Sequence, residues 1–228
     1  MKTMLVLSKS RERILYKSDL EYWLSASVLF SISLVIAGSF AKGNLKLGFL
    51  IWNLFLAAVP YLISTCMSRN QKVTGSRLLF FLLFITWLLF IPNAFYILTD
   101  LFHLGNFSGI PLWFELAMIL SFAWNGLLLG ILSVRQMEKM MERYLSGRTE
   151  LYFICPVMFL NALGVYIGRY LRFNSWDVIA NPFQLVADIS NLAIHPFDFK
   201  YAWGMVICFS IFMTLMYLTL KRLSNAIA

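Results

Sequence analysis

The chain has 228 residues, 60% hydrophobic and only 13% charged, with a mean hydropathy of +0.74 and a formal net charge of +8. That composition excludes an ordinary soluble domain and makes lipid the expected solvent. Six crossings of a hydrocarbon layer about 30 Å thick, at roughly 20 residues each, use most of the chain and leave no room for a second soluble domain.

Six apolar runs follow one another at Trp23–Phe40, Leu47–Met67, Leu78–Leu98, Leu112–Val134, Leu151–Gly168 and Tyr201–Leu220. Each is apolar all round rather than amphipathic, as lipid-facing helices are. The expected fold class is therefore all-α, a polytopic transmembrane helical bundle of about six spans. Residues 1–22 form a basic N-terminal segment, 23–220 a single transmembrane domain and 221–228 a tail. The first run is long and has no small-residue cleavage site, so it reads as a retained anchor. Pro60 and Pro92, near the ends of the second and third runs, remove backbone donors and are expected to bend those helices.

The basic residues fall in alternate gaps. Fourteen of the nineteen Lys and Arg lie in the N-terminal segment, in the second-to-third connection (Arg69, Lys72, Arg77), in the fourth-to-fifth (Arg135, Lys139, Arg143, Arg148) and in the tail (Lys221, Arg222). The other gaps hold only Lys42, Lys46, Arg169, Arg172 and Lys200. The positive-inside rule then puts both termini in the cytoplasm of a multi-pass protein of the cell membrane. The surplus charge reads as orientation, so membrane lipids and not nucleic acid are the expected partners. Arg135, Lys139 and Arg143 recur every four residues beside Met137, Met141, Tyr144 and Leu145, a pattern expected of a helix that continues the fourth span and rests on anionic headgroups.

The outer gaps hold the distinctive polar residues. If the third helix continues past Pro92, Asn93, Tyr96, Asp100 and His103 fall within an arc of about 80°. Asp100 and His103 are the candidate acid–base pair, since an imidazole beside a carboxylate suits proton transfer; a capping interaction at a helix end is the plainer alternative. Glu115 follows Trp113 at the outer start of the fourth span, where a helix N-terminus favours a carboxylate. Asn125 and Asn161, both inside apolar runs, each need a partner and are candidates for each other. In the fifth span Gly164 and Gly168 permit close helix packing. Arg169 and Arg172 then stand three apart where positive charge is otherwise rare. Two guanidiniums can clamp a phosphate or carboxylate, with Asn174 and Asp177 close by and Asp177 or Asp100 as internal counter-ions.

After Pro182, Val186, Ile189, Leu192 and Ala193 share one helical face, and Asp188, Asn191 and His195 another. This stretch is too short to span and reads as a short helix in the outer interface, its polar face closing over His103 and the arginines. Cys66, Cys155 and Cys208 show no disulfide or zinc spacing, and no P-loop, nucleophile elbow or HExxH occurs, so no metal or cofactor is expected.

Three stretches, Ile91-Pro-Asn-Ala-Phe-Tyr-Ile-Leu-Thr-Asp-Leu-Phe-His-Leu104, Pro111-Leu-Trp-Phe114 and Gly168-Arg-Tyr-Leu-Arg-Phe-Asn-Ser-Trp-Asp177, carry a likeness. The chain resembles the bacterial domain-of-unknown-function family 1361, in which a second Pro often follows the Asn-Ala pair, where this chain has Phe95. The resemblance implies a multi-span protein of a bacterial plasma membrane and brings no established activity. The residues alone leave three readings open. One is binding or processing of an anionic or lipid-linked substrate at the outer leaflet, with Asp100 and His103 as catalytic candidates and Asn93, Tyr96, Glu115, Arg169, Arg172, Asn174 and Asp177 as binding candidates. The second is a proton-coupled carrier, and the third a non-catalytic scaffold for other membrane proteins.

Overall fold

A computed structural model describes residues 2–42, 46–70, 73, 75–107, 109–142, 145, 147 and 149–227, and among them every element is helical. The order is α1 (Lys2–Lys42), α2 (Gly48–Arg69), α3 (Arg77–Tyr96), α4 (Leu112–Met141), α5 (Cys155–Tyr166), α6 (Asp177–Ala180), α7 (Pro182–Ile194) and α8 (Lys200–Ile227). A 3-10 stretch, Ile97–His103, extends α3, and π turns at Glu150–Ile154 and Ile167–Leu171 flank α5. Six stretches are long and apolar enough to cross a membrane: Asp19–Ala41, Gly48–Arg69, Arg77–His103, Leu112–Met141, Glu150–Leu171 and Lys200–Ser224. The protein is thus a transmembrane helical bundle. With six successive crossings the α1–α2, α3–α4 and α5–α8 connections share one end, called here the loop end, and the last turns of α8 lie at the other, the terminal end.

Local chemistry marks the boundaries. Ser76 caps α3 by accepting from the Leu79 amide at 3.4 Å, and Pro182 opens α7, where a missing N–H costs nothing. Gly105 and Gly109, at φ of +82° and +86°, turn the chain between α3 and α4 in a conformation that other residues enter only at a cost.

The bundle is built around α4, whose apolar window is 61% buried against 44% at most for any other span. Small residues bring its neighbours in. A Cβ at Gly126 would collide with Ile97, and one at Gly130 would lie 3.0 Å from the Ala94 methyl. On the other side of α3, a Cβ at Gly164 would lie 2.6 Å from the Pro92 ring and one at Gly168 3.4 Å from the Tyr96 ring. Helix α3 is therefore held between two bare helix faces, of which only the Gly164/Gly168 pair was anticipated from spacing. The same contacts bring the Arg169 end of α5 against the Tyr96 end of α3.

Polar groups inside the bundle mostly satisfy one another. Ser64, Ser133 and Gln136 form a chain with bonds of 3.0 and 2.8 Å, and the Trp87 indole donates to Ser133 at 2.8 Å. Asn125 donates to Ser31 on α1 at 2.9 Å. It does not meet Asn161, whose amide nitrogen reaches only the Met158 sulfur at 3.8 Å. The expected pairing of the two amides is therefore corrected: they sit on helix faces turned to different neighbours, α1 for Asn125 and the α5 turn itself for Asn161.

At the terminal end α4 continues to Met141 as expected, but Arg135 is not a free headgroup contact. It pairs with the fully buried Glu138, which also receives the Tyr217 hydroxyl at 2.6 Å and Lys221 at 2.8 Å. Lys221 and Arg222 in turn reach Glu150, at 3.0 and 3.3 Å. Buried acids pull these cations inward because an unpaired buried carboxylate is far costlier than an exposed pair. Of the remaining basic-face residues, Arg143 and Tyr144 lie outside the described residues.

Candidate functional site

At the loop end the third span passes from α-helix to the tighter 3-10 winding at Ile97. A 3-10 turn has three residues rather than 3.6, so the register expected beyond Tyr96 changes. Asn93 and Tyr96 stay on the α-helical part, while Asp100 and His103, three apart in the 3-10 winding, stand one above the other and both meet α2. Asn93 and Tyr96 line a cavity. Asp100, 1% exposed, points between α2 and α5. His103 sets its ring edge-on to Phe49 of α2, with centroids 5.5 Å apart.

Asp100 is the centre of a buried cluster. The Asn53 amide nitrogen donates to one carboxylate oxygen at 2.8 Å, and the Arg169 guanidinium stands 3.7 Å from the other. Arg169 also donates to the Tyr96 hydroxyl at 3.4 Å and lies over the rings of Tyr96 and Phe102 at 5.8 and 5.3 Å. The guanidinium, 14% exposed, is sandwiched between aromatic faces and an acid, a setting that suits its planar and weakly hydrated charge.

Arg172 does not join it. The π turn Ile167–Leu171 ends there in a left-handed residue, Arg172 having a φ of 62°, alone among the described non-glycine residues in being positive. Its exposed side chain forms no ion pair among the described residues, so the two-arginine clamp expected from spacing is not assembled. Glu115 and Asp177 likewise do not fix the arginines. Glu115, 2% exposed, accepts from the Gly105 amide at 2.8 Å, and Asp177 accepts from the Asn174 amide at 2.6 Å. Both hold loop backbone in place.

The cavity, about 350 Å³, lies between α2, α3 and α5 with α7 across it. Its polar side carries Asn53, Asn93, Tyr96, Asn174 and Ser175, and its walls include Trp52, Leu56, Leu88, Leu89, Leu160 and Leu163. From α7 it is Leu185 and Ile189 that face it. This corrects the expectation that the polar face of α7 closes over the site. His195 instead lies 4.0 Å from Asp198, both exposed. The helix itself forms as expected, with Leu192 buried while Phe183 and Val186 are 88% and 62% exposed. Thirteen residues rise only about 20 Å, too short to span.

Three contributors were not anticipated: Asn53, Ser175 and Phe102. Asn53 had a legible signal, a lone amide in an apolar run that must find a buried partner. Ser175 and Phe102 had none, since a loop serine and an aromatic near a membrane boundary are commonplace.

A family model described as "Protein of unknown function (DUF1361)" matches residues 52–216. No curated protein and no solved structure matches the chain.

Proposed function

Since the chain belongs to the DUF1361 family, whose match begins at the first cavity residue, Trp52, and runs into the last span, we propose that this membrane protein binds an amphiphilic, lipid-like molecule in the cavity between α2, α3 and α5. In this reading the loop end faces the outer leaflet of a bacterial membrane and both termini face the cytoplasm, as the basic residues indicate. The cavity itself carries the argument. Its volume of about 350 Å³ falls in the range of ligand sites, its walls are leucine-rich, and its few hydrogen-bonding groups gather on one side. An acyl or isoprenyl chain fits the walls, and a polar head fits the Asn53, Asn93 and Ser175 side. Asp100 and Arg169 act as positioning residues, because Asp100 orients the Asn53 amide and Arg169 the Tyr96 hydroxyl.

Binding is favoured over proton relay by the middle of the bundle. Eleven residues of α2, roughly 16 Å, separate Asn53 from Ser64, and Leu54 and Ala57 between them are buried. The Ser64 cluster beyond is already hydrogen-bonded internally. The test is lipid extraction and mass spectrometry of the purified protein beside a Leu160→Trp variant, which fills the cavity from a wall position already 43% exposed. The wild-type protein retains a stoichiometric lipid and the variant loses it; equal lipid in both rules the cavity out.

A further inference from the structure

The hydrogen-bond inventory of the cavity says which head group it can take. We infer that it selects a lipid with an uncharged, hydroxyl-bearing head, such as a glycosyl diacylglycerol, over a lipid with an anionic head. The inference rests on the reading of the cavity as an amphiphile site and narrows it.

Among the described residues, no Lys, Arg, His, Asp or Glu lines the cavity. The donors of its polar side are largely committed elsewhere. A carboxylate accepts only, so the Asn53 amide nitrogen faces Asp100, which takes one of its two protons, and its oxygen is left to accept. The Asn93 nitrogen is spent on the Phe90 carbonyl and the Ser175 hydroxyl, both at 2.9 Å, which again leaves the amide oxygen. The Ser175 proton goes to the Leu89 carbonyl at 3.1 Å. Pro92 has no N–H, so the carbonyl of Leu88, a lining residue, has lost its α-helical donor. The Tyr96 oxygen accepts from Arg169 and its own proton remains to give, and the Asn174 amide nitrogen, bonded to Asp177 at 3.5 Å, keeps one as well. What is left is a mixed set of neutral donors and acceptors with no cation among it.

A phosphate or carboxylate presents acceptors only, so it would meet the amide oxygens and the Leu88 carbonyl unfavourably and surrender its water for a few neutral donors, a poor exchange for a buried charge. A sugar or glycerol hydroxyl both donates and accepts, so it serves the amide oxygens and the carbonyl as well as the remaining N–H and O–H groups. Arg169, the cation that the spacing of the sequence offered to an anion, is instead turned to Asp100 and Phe102 and is not part of the lining.

The experiment holds the chains constant and changes the head. Full-length protein in nanodiscs is supplied with dioleoylglycerol, its monoglucosyl derivative or dioleoylphosphatidic acid, and retained lipid is read by native mass spectrometry. Retention of the glucolipid is expected to exceed that of phosphatidic acid roughly tenfold. Asn93→Leu should shrink that preference, and Leu160→Trp and Leu89→Trp should each abolish retention of all three. Phosphatidic acid retained as well as the glucolipid, yet lost in both tryptophan variants, overturns the head-group inference and leaves the amphiphile reading standing. Retention indifferent to both tryptophan variants overturns the amphiphile reading itself. The wild-type ranking decides the head group even if Asn93→Leu does not fold.

Discussion

Asp100 is nearly sealed from solvent, and one of its oxygens has no hydrogen bond among the described residues, its cation standing 3.7 Å away. Such a pair contributes little relative to apolar packing, but breaking it strands a charge. Arg169→Met is therefore expected to destabilise the purified protein by about 3 kcal/mol, and Arg169→Met with Asp100→Asn by clearly less than the two single changes summed. Thermal unfolding in detergent measures both; simple additivity would mean that the two residues do not sense each other. Arg172 gives the opposite case. Its left-handed backbone costs a non-glycine residue roughly 1 kcal/mol, so Arg172→Gly should leave stability unchanged or slightly raised and lipid retention intact. At this scale the sequence disclosed which residues are unusual but not their pairings. Asn93, Tyr96, Asp100 and Arg169 do converge, whereas His103, Arg172, Glu115 and Asp177 turn to rings, solvent and backbone, because side-chain direction depends on windings that composition does not encode.

The windings belong to the elements. The six spans were legible because hydrocarbon thickness and apolar length leave little choice. The 3-10 stretch after Tyr96 and the π turn at Ile167–Leu171 were not, since no residue type demands them; the first changes the register beyond Tyr96 and the second ends in the left-handed Arg172. What fixes the elements against one another is missing side chain. Gly164→Ala sets a methyl 2.6 Å from a rigid proline ring and should cost about 1–3 kcal/mol while loosening the Arg169 end of α5 from Tyr96. Combined with Pro92→Ala the loss should be partly recovered, a coupling read from the double-mutant cycle in thermal unfolding. If Gly164→Ala alone leaves the unfolding midpoint unchanged, close approach is not what seats α5.

For the whole molecule, the two ends are built differently. The terminal end is fastened by Glu138, to which α4 and α8 both contribute partners, and the loop end by aromatic and amide contacts. Tyr217→Phe removes a buried charge-assisted hydrogen bond and should lower stability by about 2 kcal/mol without altering lipid retention. Orientation, read from the basic residues alone, has a direct check. In a background without the three native cysteines, Asn106→Cys should react with a membrane-impermeant thiol reagent in intact cells, and Ser224→Cys only after permeabilisation. The reverse pattern would place the cavity in the cytoplasmic leaflet.

With backbone pressed against it on two sides, α3 is in effect a fixed post: turning it would drive Ile97 or Pro92 into a neighbouring helix axis. In the amphiphile reading, the motion that admits a hydrocarbon tail would fall to the slender crosspiece α7, whose Phe183 and Val186 face outward while Leu185 and Ile189 line the cavity. A tail would then enter sideways from the bilayer, past an element joined to its neighbours through the non-helical residues Asn181 and His195.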